Sequence, residues 1–392
     1  MKRILLCSVL TKPYYSGSGI NMFSFAKTLR KLNNNVSILS FNWNVKNPIF
    51  ETIEDLKIIR IPACTIKVVN VLLVILSLPY ILIHTMRFEI IIIYGPFIPQ
   101  FMLIAMFAKT LGIKVVFQSV NLSMDDVDSM LNKNLVISKI NKKILKGISL
   151  YHAINKTFAE KYLCNFPEYS SKVFLSSQGV DTTRFKPADY QEKIRLRAKH
   201  NICAQKKVIL SVGNLINRKG YGEIFEVLSI LPIDYLYIIV GNYSNNKYFY
   251  WQSPKEMFGL YQKGKVMLGD KVWFMGAIEN VEDVITIADV LLMNSEREGL
   301  PNCLLEAMAS KLPCVFKSLE GVDDMLGVNG HNYISFKDNK GMLIGLTDML
   351  SKPEQSREIA ENAYQEIMEN HSDLLVARRL LAKLDDDKLY CK

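Results

Sequence analysis

Apolar residues along this chain alternate between two spacings. Short apolar runs at Arg3–Val9, Val36–Phe41, Leu56–Ile61, Ile90–Tyr94 and Lys114–Phe117 have the length and β-branched content of buried strands. Between them, Ile20–Leu32 sets Met22, Phe25, Ala26 and Leu29 at i, i+3, i+4 and i+7, the face of a helix. Val71–Ile83 and Pro96–Ala108 are apolar stretches of helical length. A second series follows Pro187–Lys199. Its strands are Val208–Val212, Tyr235–Val240, Val272–Met275, Val290–Met293 and Cys314–Phe316, with helices from Gly220, from Val281 and around Glu306. Strand and helix in alternation predict an α/β chain of two doubly wound parallel sheets. The domains read as 1–190 and 191–370, followed by a tail, 371–392, whose helix runs from about Ser372 to Leu384.

Composition agrees with two folded domains. Of 392 residues, 49% are hydrophobic and 22% charged, and no low-complexity tract interrupts them. A balance of 48 basic to 38 acidic residues, net +10, favours anionic partners such as phosphorylated ligands or an acidic membrane surface. Nucleic acid is disfavoured, because no arginine-rich tract, aromatic RNA-binding motif or zinc-finger spacing is present. Seven scattered cysteines without Cys-x-x-Cys spacing argue against a disulfide framework and a zinc site, and for a reducing cytoplasm. Lys12-Pro13-Tyr14-Tyr15 stands where a signal peptide would carry small residues, so Ile4–Leu10 reads as a first strand. Val71–Ile83 and Pro96–Ala108 are too short to span a bilayer, yet with the positive charge they allow peripheral contact with an anionic leaflet.

Candidate chemistry concentrates at Asn294–Ala309. The run Ala288–Met293 reads as a buried strand, and Pro301 suits the first turn of the helix that follows. This puts Glu298 at a strand's carboxyl end and Glu306 inside the helix, with seven residues between them. Ligands of open parallel sheets bind at that edge, and a helix start favours an anion such as a diphosphate. Carboxylates accept hydrogen bonds from paired hydroxyls, and Gly299 lets backbone approach a sugar. The full string Ser295-Glu296-Arg297-Glu298-Gly299-Leu300-Pro301…Glu306-Ala307-Met308-Ala309 resembles the Glu-x7-Glu signature of retaining GT-B glycosyltransferases of family 4, the glycosyl transferases group 1. In that family a Gly-x-Pro step follows, and Lys311 stands here in place of its glycine.

Two further segments are similar to family elements. Ser177–Pro187 resembles the Asn-Gly-Val-Asp…Arg-Phe-x-Pro segment before the interdomain linker, with Gln178 replacing asparagine. Gly213-Asn214-Leu215-Ile216-Asn217-Arg218-Lys219-Gly220 resembles the Gly-Arg-Leu-x-x-x-Lys-Gly element that grips donor phosphates, with Asn214 in the arginine's place. Two cations at a helix start can stabilise charge growing on a departing diphosphate without a metal.

The resemblance implies two Rossmann-like domains facing a cleft, the first binding acceptor and the second a UDP- or GDP-sugar donor, with the last helix crossing back to the first domain. It implies a retaining, metal-independent transferase that uses no cofactor beyond its nucleotide-sugar. Glu298, Lys219 and Arg218 carry the catalytic roles. Donor contacts fall to Gly17, Gly19, Gly213, Asn214, Lys219, Glu298, Gly299, Leu300, Pro301, Asn302, Leu304 and Glu306. Asn121 takes the acceptor-side position where family members often have histidine. The implied acceptor is a saccharide, with the apolar helices suggesting a lipid-linked intermediate of surface polysaccharide synthesis met at the cytoplasmic face of a membrane.

Rival readings stay open at this level. Asp126-Val127-Asp128 is the Asp-x-Asp string that binds metal in GT-A enzymes, although Asp125 beside it suggests an acidic loop. A nucleotide-dependent oxidoreductase or epimerase lacks its fingerprint, because Met22 stands where Gly-x-Gly-x-x-Gly would end. A catalytically idle sugar-binding or membrane-binding partner is suggested by Asn214, Gln178, Asn121 and Lys311.

Overall fold

Strands that are apolar on both faces need cover on both faces, and the computed structural model supplies it in two units. It describes residues 1–13, 17–42, 47–63, 67–95, 98–123, 125–243 and 254–386. One unit is Met1–Gly179 with Asp373–Lys392, and the other is Val180–Ser372. The chain thus leaves the first unit at Gly179, ahead of the break expected at 190.

The first unit holds β1 (Arg3–Cys7), α1 (Gly17–Lys31), β2 (Asn35–Asn42), β3 (Phe50–Ile53), β4 (Leu56–Pro62), α2 (Lys67–Thr85) and β5 (Ile90–Tyr94). It continues through α3 (Pro99–Thr110), β6 (Lys114–Gln118), α4 (Val127–Leu131), α5 (Leu135–Gly147), β7 (Leu150–Ala153), α6 (Lys156–Asn165) and β8 (Val173–Leu175). The strand order is β3-β4-β2-β1-β5-β6-β7-β8, parallel except for the edge pair β3–β4. All of β5, Ile90-Ile91-Ile92-Ile93-Tyr94, is buried. The expected face of α1 is buried too, with Met22, Phe25, Ala26 and Leu29 in the core. Gly17 and Gly19, which precede the helix expected from Ile20, instead form the first turn of α1, and Ser16 beside them lies outside the described residues.

The second unit runs α7 (Tyr190–Lys199), β9 (Lys207–Val212), α8 (Tyr221–Ser229), β10 (Tyr235–Val240), α9 (Pro254–Leu268), β11 (Val272–Gly276), α10 (Val281–Ile287) and β12 (Val290–Met293). Then follow α11 (Asn302–Ala309), β13 (Cys314–Lys317), β14 (Ile334–Phe336), α12 (Asn339–Ser351) and α13 (Pro353–Asn370). Its sheet, ordered β11-β10-β9-β12-β13-β14, is parallel throughout. Both sheets are Rossmann-like and doubly wound.

The last helix, α14 (Asp373–Asp385), belongs to the first unit. Val376, Ala377, Leu380 and Leu384 are wholly buried in the same core as Met22 and Phe25 of α1. The Thr28 hydroxyl donates to the Asp373 carboxylate and Lys114 donates to the Leu384 carbonyl, so both ends of α14 are fixed. Among the described residues no helix is long and apolar enough to cross a membrane.

At the Gly-x-Pro step of the family signature, Lys311 has φ 55, the left-handed conformation that favours glycine. Its Nζ pairs with Glu361 at 2.5 Å and lies 4.7 Å from the Tyr364 ring centroid, contacts that offset the backbone cost.

Two stability measurements test this account. Leu380→Ala should cost about 2–5 kcal/mol in urea unfolding, as for a wholly buried leucine, and a loss below about 1 kcal/mol would contradict a docked α14. Lys311→Gly should be neutral or stabilising by up to about 1 kcal/mol, whereas Lys311→Val should lower the melting temperature, because a β-branched residue tolerates positive φ poorly.

Candidate active site

β9 and β12 are neighbours in the second sheet, yet the strands that follow them diverge, β10 and β11 to one side and β13 and β14 to the other. Loops leaving their carboxyl ends must therefore part, and a crevice opens at such a switch point. Both motif segments of the second unit lie on these two loops.

Two hydrogen bonds zip the loops together at their base. Asn294 Nδ2 donates to the Gly220 carbonyl at 3.1 Å, and the Glu296 N–H donates to the Arg218 carbonyl at 2.9 Å. Gly220 has φ 66, and a Cβ there would meet the Asn294 carbonyl oxygen at 2.3 Å and Nδ2 at 2.4 Å. Glycine is the residue that fits both the space and the dihedral. At Gly241, on the neighbouring β10 loop, a Cβ would lie 2.1 Å from the Gly213 carbonyl oxygen, so β9 and β10 also end in close backbone contact.

This zip brings the signature charges to one point. Glu298 Oε1 lies 2.6 Å from Lys219 Nζ and 3.0 Å from Arg218 Nη1, one oxygen shared by two cations. Arg218 Nη1 also donates to the Arg297 carbonyl. Burial pushes the Glu298 carboxyl up, but Lys219 and Arg218 outweigh it and hold it below the ordinary glutamate value. Glu298 is therefore ionised near neutral pH.

Glu306, in α11, is half-buried, and among the described residues its carboxylate has no hydrogen bond or ion pair. Burial raises it to about 7, against a downward pull from Arg184 and a further push from Glu282. Arg184 itself is clamped to Glu282, with Nη2 at 2.7 Å and Nε at 3.0 Å. A half-buried carboxylate without a partner can accept hydrogen bonds from hydroxyls.

The remaining expected residues fall in several places. Gly299 and Leu300 are buried, and Asn302 opens α11 half-buried. Pro301 is the N-cap of α11, with φ −67 and ψ 120, rather than its first helical residue, because its extended ψ keeps it out of the helix. Leu304 is wholly buried and its N–H donates to the Pro301 carbonyl at 3.2 Å, so it serves the core and the helix start. Gly213 donates its N–H to the Val240 carbonyl, and Asn214 Oδ1 accepts from the Asn242 N–H at 3.2 Å and Nδ2 at 3.3 Å. At the arginine position the chain thus carries a tie between the ends of β9 and β10.

Gly17, Gly19 and Asn121 belong to the first unit. Asn121 follows β6, where its N–H donates to Asp125 Oδ1 at 2.7 Å. The Asp-x-Asp string is committed internally. Asp126 caps α4 and pairs with Lys161 at 2.9 Å, while Asp128 accepts from Asn165 at 2.9 Å. A capping turn explains these carboxylates, and they do not fit a metal and diphosphate. Asn294, Asn242 and the Arg184–Glu282 clamp had no sequence signal of their own, although Arg184 and Asn294 lie inside quoted motif strings.

Residues 192–366 match the family model described as glycosyl transferases group 1. A Bacillus anthracis protein named N-acetyl-alpha-D-glucosaminyl L-malate synthase is 21% identical over 182 residues, 46% of this chain and 45% of that one. A Campylobacter jejuni protein named N,N'-diacetylbacillosaminyl-diphospho-undecaprenol alpha-1,3-N-acetylgalactosaminyltransferase is 22% identical over 66% of this chain and 67% of its own length. The matched stretch spans about half the length of the first of these curated relatives. The Anabaena HepE structure in complex with UDP and glucose superposes with a TM-score of 0.76 at 14% identity, covering 98% of this chain and 99% of that one, which establishes the GT-B fold. The whole chain thus has the GT-B fold, and its segment 192–366, which encloses both charged loops, is similar to the glycosyl transferases group 1.

Proposed function

We propose that this protein is a retaining, metal-independent glycosyltransferase that moves a sugar from a UDP- or GDP-sugar to a saccharide acceptor, with Glu298, Lys219 and Arg218 at the reacting end of the donor. The observation that carries the proposal is the convergence of one carboxylate and two cations at the switch point of the second sheet, with Glu306 in the helix that follows and, among the described residues, without a hydrogen bond or ion pair. A nucleotide-sugar offers each group its counterpart. Ribose hydroxyls suit Glu306, the diphosphate suits Lys219 and Arg218, and the sugar hydroxyls suit Glu298 and the backbone at Gly299 and Leu300.

In the proposed reaction the bond between sugar C1 and the phosphate oxygen breaks, and its electron pair leaves with the nucleoside diphosphate. Lys219 and Arg218 stabilise that growing charge. The acceptor oxygen bonds to C1 on the face the diphosphate leaves, and its proton passes to the departing phosphate oxygen. Glu298 holds the two cations close together before the donor arrives, so little reorganisation is needed during the step.

The acceptor is proposed to be lipid-linked, an intermediate of surface polysaccharide synthesis met at a membrane's cytoplasmic face. The Campylobacter relative's name specifies an undecaprenol diphosphate acceptor, which supports that class. The idle-partner reading loses one of its grounds, because Asn214 has a structural task in tying β9 to β10.

Two experiments test the proposal. In a screen of UDP- and GDP-sugars for nucleoside diphosphate release, Glu298→Gln should reduce turnover by at least about a hundredfold, the scale of a lost transition-state contact. Lys219→Ala should weaken donor binding and turnover together. Full turnover by Glu298→Gln would overturn the assignment.

The second experiment follows Glu306. Its carboxylate form accepts the ribose hydroxyls, so KM for the donor should fall as pH rises through about 7, and Glu306→Gln should flatten that profile. Stability has the opposite sign. The unfolded chain gives up this proton near the ordinary 4.5 and the folded one near 7, so folding stability declines between those values, and Glu306→Gln removes the decline.

A further inference from the structure

In the first unit, α2 carries its apolar residues outward. Leu72, Ile75, Leu76, Ile83 and Met86 are all exposed, Leu76 at 76%, and they follow the period of one helix face, with Met86 just past the helix end. Ile81 and Thr85, on the opposite face, are buried. A surface helix of a water-facing protein has the reverse arrangement.

The same surface continues across two more helices. α2 packs beside α3, and α3 beside α5. α3 ends with Met106 exposed, and Leu111 beyond it is exposed as well. α5 opens with three consecutive exposed apolar residues, Leu135 at 71%, Val136 at 67% and Ile137.

Cations surround these apolar groups. Lys133, Lys139, Lys142 and Lys143 are exposed, and among the described residues none has an ion pair. α2, α3 and α5 contain no Asp or Glu. From Leu56 to Ala159 the sequence holds twelve Lys and Arg against four Asp and Glu, which is most of the chain's net +10. The acids of that span are engaged elsewhere, Glu89 with Arg3, and Asp126 and Asp128 with Lys161.

We propose that the α2–α3–α5 face is a docking surface for an anionic lipid bilayer, with the outward stripe of α2 and the start of α5 entering the headgroup–acyl boundary and the α5 lysines meeting acidic headgroups. Apolar side chains at helical period supply the burial, and unpaired lysines beside them supply the charge complementarity, each lysine near the surface adding attraction that salt screens. A leaflet uses both, and the absence of acids over three helices matches its charge. The inference rests on the membrane part of the proposed function and names the surface that would serve it; because vesicle binding is measured without any nucleotide-sugar, its failure is distinct from a failure of the transfer reaction.

The test is co-sedimentation of the full chain with phosphatidylcholine vesicles, alone or containing phosphatidylglycerol. Binding is expected to the anionic vesicles, weaker by at least tenfold on neutral ones, and falling as salt is raised. Leu76→Glu and Val136→Glu should each weaken it at least tenfold, and Lys142→Ala with Lys143→Ala should weaken it and flatten its salt dependence. Val266→Glu, on an exposed residue of α9 in the second unit, should bind like the parent. All these positions are exposed, and unchanged thermal melts would show that the variants fold. Absence of parental binding, or parental binding by Leu76→Glu and Val136→Glu, overturns the proposal. So does light scattering that shows a dimer dissociated by those two variants, which would make the face an interface between copies.

Discussion

The site in the second unit depends on how closely two loops can approach where the sheet reverses direction. β9 and β12 end side by side, and the backbone of Gly220 passes within hydrogen-bond reach of Asn294 because glycine leaves the space open. That contact, with the Glu296–Arg218 backbone bond, sets the spacing between one loop's cations and the other's carboxylate. A side chain at 220 would push the loops apart before any charge could act. Short-range sterics thus come first, and the electrostatics of Glu298 follow from them.

The electrostatic result is local. Net charge favours anionic ligands, yet most of the surplus sits in the first unit, between Leu56 and Ala159. In the second unit Lys219 and Arg218 face a carboxylate that shares one oxygen between them. Two cations alone at this separation would repel, so Glu298 keeps them side by side, and the diphosphate proposed to bind there would meet cations already positioned. Glu306 has no such partner among the described residues and burial raises it, so two glutamates of one motif have opposite protonation behaviour.

Much of this was legible in the sequence. Apolar runs such as Ile90–Tyr94 located the central strands because a buried parallel strand admits few polar residues. Glu298, Lys219 and Glu306 were singled out through their motif strings, and the structure brings the first two into contact. The edge hairpin was hidden, because Glu54 and Asp55 take φ 47 and 65 in a turn where glycine or asparagine would have marked it. Lys12 and Lys27 both pair with Glu54, and no local pattern announces such long-range ties. The unit boundary was hidden for a related reason. Composition changes near Pro187, but Val180 and Phe185 are already buried in the second unit, so the crossing comes earlier.

Asn214 and Lys311 show why a departure from a family pattern is weak evidence of lost function. At 214 the side chain joins two strand ends, so the position has been given a structural task, and Arg218 lies against Glu298 as the second cation beside Lys219. At 311 the backbone keeps the left-handed turn for which the family uses glycine, and lysine meets the conformational cost with an ion pair and a ring contact. In both cases the geometry of the motif persists while its residue changes. What a binding site needs is the path of the backbone and the placement of charge, and a sequence pattern records only the commonest way of achieving them.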